Sequence, residues 1–114
     1  MDEGIVSRVR HAHRTKAAPL DEAQLYAAAE TFKTLSDPTR LRILRALADG
    51  ETCVHELCDQ IGMSQPAVSH QLRLLRAHRL VRARRAGREI YYSLLDEHVW
   101  SLVAAACSHA SEAR

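Results

Sequence analysis

The sequence predicts a mainly α-helical, winged helix-turn-helix domain: about five helices plus a two-stranded β-hairpin, working as a homodimer. Apolar residues recur with a helical period through most of the chain, as in amphipathic helices that share one core. A short helix ends at Gly62-Met63, and Ser64 then opens another with Gln65 and Pro66 in its first turn, the mark of a helix-turn-helix. After Arg79 the period changes from helical to two, as a hairpin requires.

At 114 residues the chain makes one small domain. Residues 1–19, with His11, His13 and Pro19, have no sustained apolar period and are expected to form an N-terminal arm, leaving 20–114 as the DNA-binding and dimerisation domain. A composition of 46% apolar and 26% charged residues with few Gly and Pro excludes a disordered chain. Net charge is only +2, but residues 64–94 hold seven Arg against one acid. The basic charge sits in one block, as on a face that binds a polyanion. No run approaches transmembrane length and the first residues lack a secretory core, so a cytoplasmic protein without a membrane partner is expected. Cys53, Cys58 and Cys107 are too few, and odd in number, for a disulfide scaffold.

The first core helix starts at Asp21, with Leu25, Ala28, Ala29, Phe32 and Leu35 marking its buried face. Ser36-Asp37-Pro38-Thr39 breaks and restarts the chain, since Asp37 can cap and Pro38 at the first helical position needs no N–H. The second helix carries Leu41, Ile43, Leu44 and Leu47 inward and stops at Asp49-Gly50; its Arg40, Arg42 and Arg45 are read as exposed. Thr52 to Ile61 is the third helix, with Val54, Leu57 and Ile61 inward. In the fourth, Val68, Leu72 and Leu75 face the core, while Ser64, Gln65, Ser69, His70 and Arg73 lie where side chains meet base edges in a major groove. Leu80 to Arg85 and Glu89 to Leu94 are strands joined by Ala86-Gly87-Arg88. A basic hairpin after a recognition helix is a wing, whose Arg84, Arg85 and Arg88 would neutralise phosphates or enter a minor groove.

The last stretch, Asp96 to Glu112, places Asp96 and His98 at one end and His109 and Glu112 at the other. Between them Val99, Leu102, Val103 and Ala106 form an apolar stripe. On one helix the two His share a face to within roughly 20° but stand about 16 Å apart along the axis. Zinc holds nitrogen and oxygen ligands at about 2 Å, so one helix cannot bring both ends to one ion. A second copy packed antiparallel would set Asp96 and His98 of one chain beside His109 and Glu112 of the other, giving two identical N/O sites.

The order of elements, with Ser36-Asp37-Pro38-Thr39-Arg40-Leu41-Arg42-Ile43-Leu44 and Ser69-His70-Gln71-Leu72 in it, resembles the ArsR/SmtB family of winged-helix metal-sensing repressors over about residues 20–112. The family's C-terminal site is Asp-x-His, ten residues, then His-x-x-Glu or His-x-x-His. It maps without a gap onto Asp96, His98, His109 and Glu112. The resemblance implies a homodimer that binds operator DNA when metal-free and leaves it on binding zinc, with cobalt, nickel or cadmium as other ions. It also implies a bond from metal-bound His109 to the backbone carbonyl of Arg79, the allosteric link. A second family site uses Cys-Val-Cys with help from the arm; here the run is Cys53-Val54-His55, with His11 and His13 in the arm. That departure from the family pattern leaves a mixed Cys/His zinc site of Cys53, His55, His11 and His13 as the second-site expectation and weakens a three-thiolate or soft-metal site there.

Three other readings use the same residues. A thiol or arsenite sensor would rely on Cys53, and a constitutive DNA-binding module would leave the His/carboxylate set idle. A hydrolytic zinc enzyme would need an open coordination position and a general base, and neither an HExxH run nor a nucleophile elbow is present. No small organic substrate is expected.

Overall fold

The computed structural model describes residues 18–112, in the order α1 (Glu22–Leu35), α2 (Pro38–Leu47), β1 (Thr52–Cys53), α3 (Val54–Ile61), α4 (Gln65–Ala77), β2 (Val81–Ala86), β3 (Glu89–Leu94) and α5 (Glu97–Glu112). Local chemistry sets most boundaries. Asp21 and Gln24 form a reciprocal capping box at the start of α1. Asp37 caps α2 by accepting the Arg40 N–H at 3.0 Å, with Pro38 in the first turn. Gly62 closes α3 in the left-handed conformation at φ 78°, its N–H bonded to the Cys58 carbonyl, and Ser64 caps α4. The helix-turn-helix is therefore α3-turn-α4, as its caps and glycine predict.

The core is one cluster. Ile43, Leu44 and Leu47 of α2, Leu57 of α3, and Val68, Leu72 and Leu75 of α4 meet Leu80, Val81 and Tyr92 of the hairpin and Val99 and Val103 of α5. Every one of these is nearly or wholly excluded from solvent. Arg40, read from sequence as an exposed cation, is instead half-buried: its Nε donates to Gln71 of α4 at 2.9 Å and its Nη1 to the Thr34 carbonyl of α1 at 3.2 Å. It ties the first two helices to the fourth.

Three departures from the sequence expectations have physical causes. Thr52 and Cys53 do not begin a helix. They form a short edge strand against Tyr92 and Tyr91, so the sheet is three-stranded and antiparallel, in the order β1-β3-β2. β-Branched Thr52 suits that extended pairing. The hairpin turn is two residues, Gly87-Arg88, with Gly87 at φ 63°, the first-position glycine of a tight hairpin turn.

The third departure concerns the apolar faces of the two flanking helices. Of the face expected to be buried on α1, Leu35 is buried but Leu25 and Phe32 stand 52% and 63% exposed. The α5 stripe likewise divides: Val99 and Val103 enter the core, and Leu102 and Ala106 face out. One chain leaves both outer faces apolar and uncovered.

Leu72, fully buried on the core face of α4, is the most direct test of the core. Leu72→Ala should cost about 2–5 kcal/mol, read as a lower midpoint in urea unfolding with little change in slope.

Candidate DNA-contact and metal-binding surfaces

Helix α4 is divided by its own period. Val68, Leu72 and Leu75 are sealed against the core, which turns Gln65, Ser69, Arg73 and Arg76 to the other side. Ser69, Arg73 and Arg76 follow the i, i+4, i+7 rule and, with Gln65, line a cleft of about 510 Å³ between α4 and the hairpin, with His55, Arg88 and Glu89 on its other walls. Arg73, Arg76 and Arg88 make no ion pair among the described residues. Three guanidinium groups and one carboxylate, that of Glu89, line the cleft, a net positive charge of the kind that suits a phosphate-bearing backbone. Ser64 and His70 are also exposed along this helix. Arg76 was missed in the sequence reading, although its spacing from Ser69 and Arg73 already put it on their face.

The hairpin arginines are not equivalent. Arg85 and Arg88 are exposed, with Arg85 close to the turn carbonyl of Gly87. Arg84 is engaged: its Nε and Nη2 donate to the two carboxylate oxygens of Glu51 at 2.9 and 2.7 Å, and its guanidinium lies 5.2 Å from the centre of the Tyr91 ring. The hydrogen bonds and charge of Arg84 hold the Glu51 carboxyl below its ordinary range.

At the start of α5, Asp96 does two things. Its Oδ1 accepts the Val99 N–H at 3.2 Å and so caps the helix, while its Oδ2 lies 3.5 Å from Nδ1 of the exposed His98. Oδ2 and the imidazole thus form a ready two-donor pair. His109 and Glu112 are exposed one turn apart in the last turns of the same helix. Within one chain no three His, Cys, Asp or Glu converge among the described residues. The structure brings Asp96 to His98, and it leaves His109 and Glu112 at the far end of α5.

The Asp96 pair borders a groove of about 570 Å³ whose walls include Ala28, Thr31, Arg79, Leu80 and Leu102. Arg79 terminates α4 in the left-handed region at φ 59°, and the Leu80 N–H closes the helix end on the Leu75 carbonyl. One residue further on, the Leu80 carbonyl accepts the Leu95 N–H at 3.0 Å, and the Leu95 carbonyl accepts from the Arg82 guanidinium. The end of the recognition helix and the start of α5 are therefore joined by direct backbone bonding. Arg82, absent from the sequence reading, is part of that joint.

At the other predicted position, Cys53 is buried at the start of α3 with its Sγ 3.8 Å from a Glu56 oxygen, while His55 points into the α4 cleft region. His11 and His13 lie outside the described residues. Cys53, Cys58 and Cys107 are all free thiols. No helix among the described residues is long and apolar enough to cross a membrane.

Residues 37–83 match the family model for bacterial regulatory proteins of the arsR family. The chain is 50% identical over 93 residues to a transcriptional repressor SmtB homolog of Synechocystis sp., a span of 82% of this chain and 69% of that one. It superposes with a TM-score of 0.77 on the AntR antimony-specific transcriptional repressor, at 34% identity over 89% of this chain and 92% of that one. The homodimeric winged helix-turn-helix DNA-binding domain of Mb0332 from Mycobacterium bovis gives a TM-score of 0.75 at 36% identity, covering 84% and 91%. On sequence and fold together, the chain belongs to the arsR family of bacterial regulatory proteins, which are DNA-binding transcriptional regulators and not enzymes.

Proposed function

We propose that the protein is a metal-responsive repressor that holds its operator as a homodimer and releases it when a divalent ion, zinc by preference, bridges the α5 helices of two subunits. The observation that carries this reading is the split of one potential site between the two ends of α5, on a helix whose outer apolar face, with that of α1, is left uncovered by its own chain. A second copy running antiparallel covers those faces and completes the ligand set in the same step. Repression as the activity is supported by the SmtB homolog, and the homodimer by Mb0332.

The donor chemistry fits the ion. Asp96, His98, His109 and Glu112 offer two imidazoles and two carboxylates, a nitrogen and oxygen set that suits zinc, cobalt or nickel better than a thiophilic ion. A bound ion would supply charge and fixed geometry, not catalysis. Asp96 and His98 begin as neighbours; the capping bond from Val99 holds the carboxylate in place, so little ordering cost remains at that half. Release follows by linkage: an ion that favours a dimer shape unsuited to the operator lowers DNA affinity by the same factor that DNA lowers ion affinity.

Titrating the purified protein with zinc should show one ion bound per chain, weakened by added operator DNA; a monomer in solution, or zinc binding that DNA does not alter, would overturn the proposal. Two variants locate the site. His109→Gln and Asp96→Asn should bind operator like the parent yet stay bound when zinc is added. Asn is chosen at 96 because it still caps the helix, where Ala would cost about 1 kcal/mol of unrelated stability. Arg73→Ala, Arg76→Ala and Arg88→Ala should each weaken operator binding and reduce the slope of log affinity against log salt by about 0.9 per lost phosphate contact.

A further inference from the structure

The Glu51 to Arg84 contact lies on the side of the sheet opposite the phosphate cleft. Val81 and Ala83 pack toward the core, so strand alternation turns Arg82 and Arg84 to the outer face. The register confirms it: Ala83 pairs with buried Tyr92, which lines the cleft, whereas Arg84 pairs with Tyr91, which in turn pairs with Cys53. Arg84 starts on β2, passes over the Tyr91 ring on the middle strand, and grips Glu51, the residue just before β1. One side chain thus spans all three strands.

That span matters because little else fixes the hairpin's far edge. β1 contributes only two residues to the ladder, and beyond Ala83 Ile90 still packs toward the core while Arg84, Arg85 and Glu89 on the strands and Arg88 in the turn are exposed. The fork of the guanidinium matches both carboxylate oxygens, the geometry in which a surface pair is most rigid. Glu51 stays ionised well into acid, since its carboxyl is held low, and the contact is lost as pH falls through that lowered value.

We propose that Arg84 is a positioning residue, which uses Glu51 and Tyr91 to fix the angle of the wing against the body, and that it does not itself contact operator phosphate. The inference rests on the reading of the wing as a DNA contact, and Arg88→Ala tests that reading separately: an unchanged salt slope there would remove the wing contact itself.

Operator affinity measured over a potassium chloride series decides the matter with Glu51→Gln and with the charge exchange Glu51→Arg/Arg84→Glu, each checked for folding by thermal unfolding. Removing a carboxylate near DNA should strengthen binding by simple electrostatics. Loss of positioning predicts the reverse, a weakening of about two- to fivefold for Glu51→Gln. Unchanged or tighter binding by Glu51→Gln overturns the proposal. The exchanged pair should bind more tightly than Arg84→Glu alone and keep the parent's salt slope, because the ion pair is rebuilt with reversed polarity although the Tyr91 contact is not. Should the exchanged protein bind as weakly as Arg84→Glu alone, with a slope lower by about 0.9 or more, Arg84 is a phosphate contact and the assignment falls.

Discussion

A helix can present side chains to a ligand only if its other side is immobilised, and α4 meets that constraint with three residues. Val68, Leu72 and Leu75 are wholly excluded from solvent, each contributing on the order of 2 kcal/mol of burial, and the 3.6-residue period then leaves Ser69, Arg73 and Arg76 no direction but outward. Everything else packs to hold that orientation. Helix α2 supplies the floor through Ile43, Leu44 and Leu47, Arg40 donates to Gln71 of α4 and to the Thr34 carbonyl of α1, and the hairpin begins within the same core at Leu80 and Val81. The charge follows the packing. Because the cleft walls come from α3, α4 and the hairpin, arginines from separate parts of the chain are held near one another without having to pack against each other.

Much of this was legible in the sequence because its signals are local. Caps at Asp37 and Ser64, the glycine at 62, and the change of period after Arg79 each depend on residues within a few positions, and each lies where the sequence puts it. What was not legible depends on distant partners. Thr52 and Cys53 look like the first turn of a helix until β3 offers them a ladder. Arg40 reads as a solvated cation until Gln71 and the Thr34 carbonyl come within reach. Arg84 is indistinguishable from Arg85 in composition, and only strand alternation and the position of Glu51 separate their surroundings.

The apolar outer faces show a different limit. Hydrophobic period marks a residue as needing cover, but it does not say which chain provides it. Leu25 and Phe32 have the spacing of core residues and are more than half exposed in a single chain. Leu102 and Ala106 repeat the pattern on α5. In the candidate metal site the same division holds: residue types and spacing name all four donors, and the chain's own geometry unites only Asp96 with His98.

The joint between α4 and α5 sets the energy scale on which an ion could act. Arg79 occupies the left-handed region without glycine's freedom, at a cost of about 1 kcal/mol, and it is kept there by the bonds Leu80 makes to Leu75 and Leu95. Coupling between two ligand sites typically amounts to about 1–3 kcal/mol. The strain at this helix end is of that order, whereas unseating α4 from its core would cost several times more. For the ion proposed to bind beside Asp96, the least costly element within reach would be the turn that Arg79 and Leu80 share with Leu95, rather than the packed face of α4.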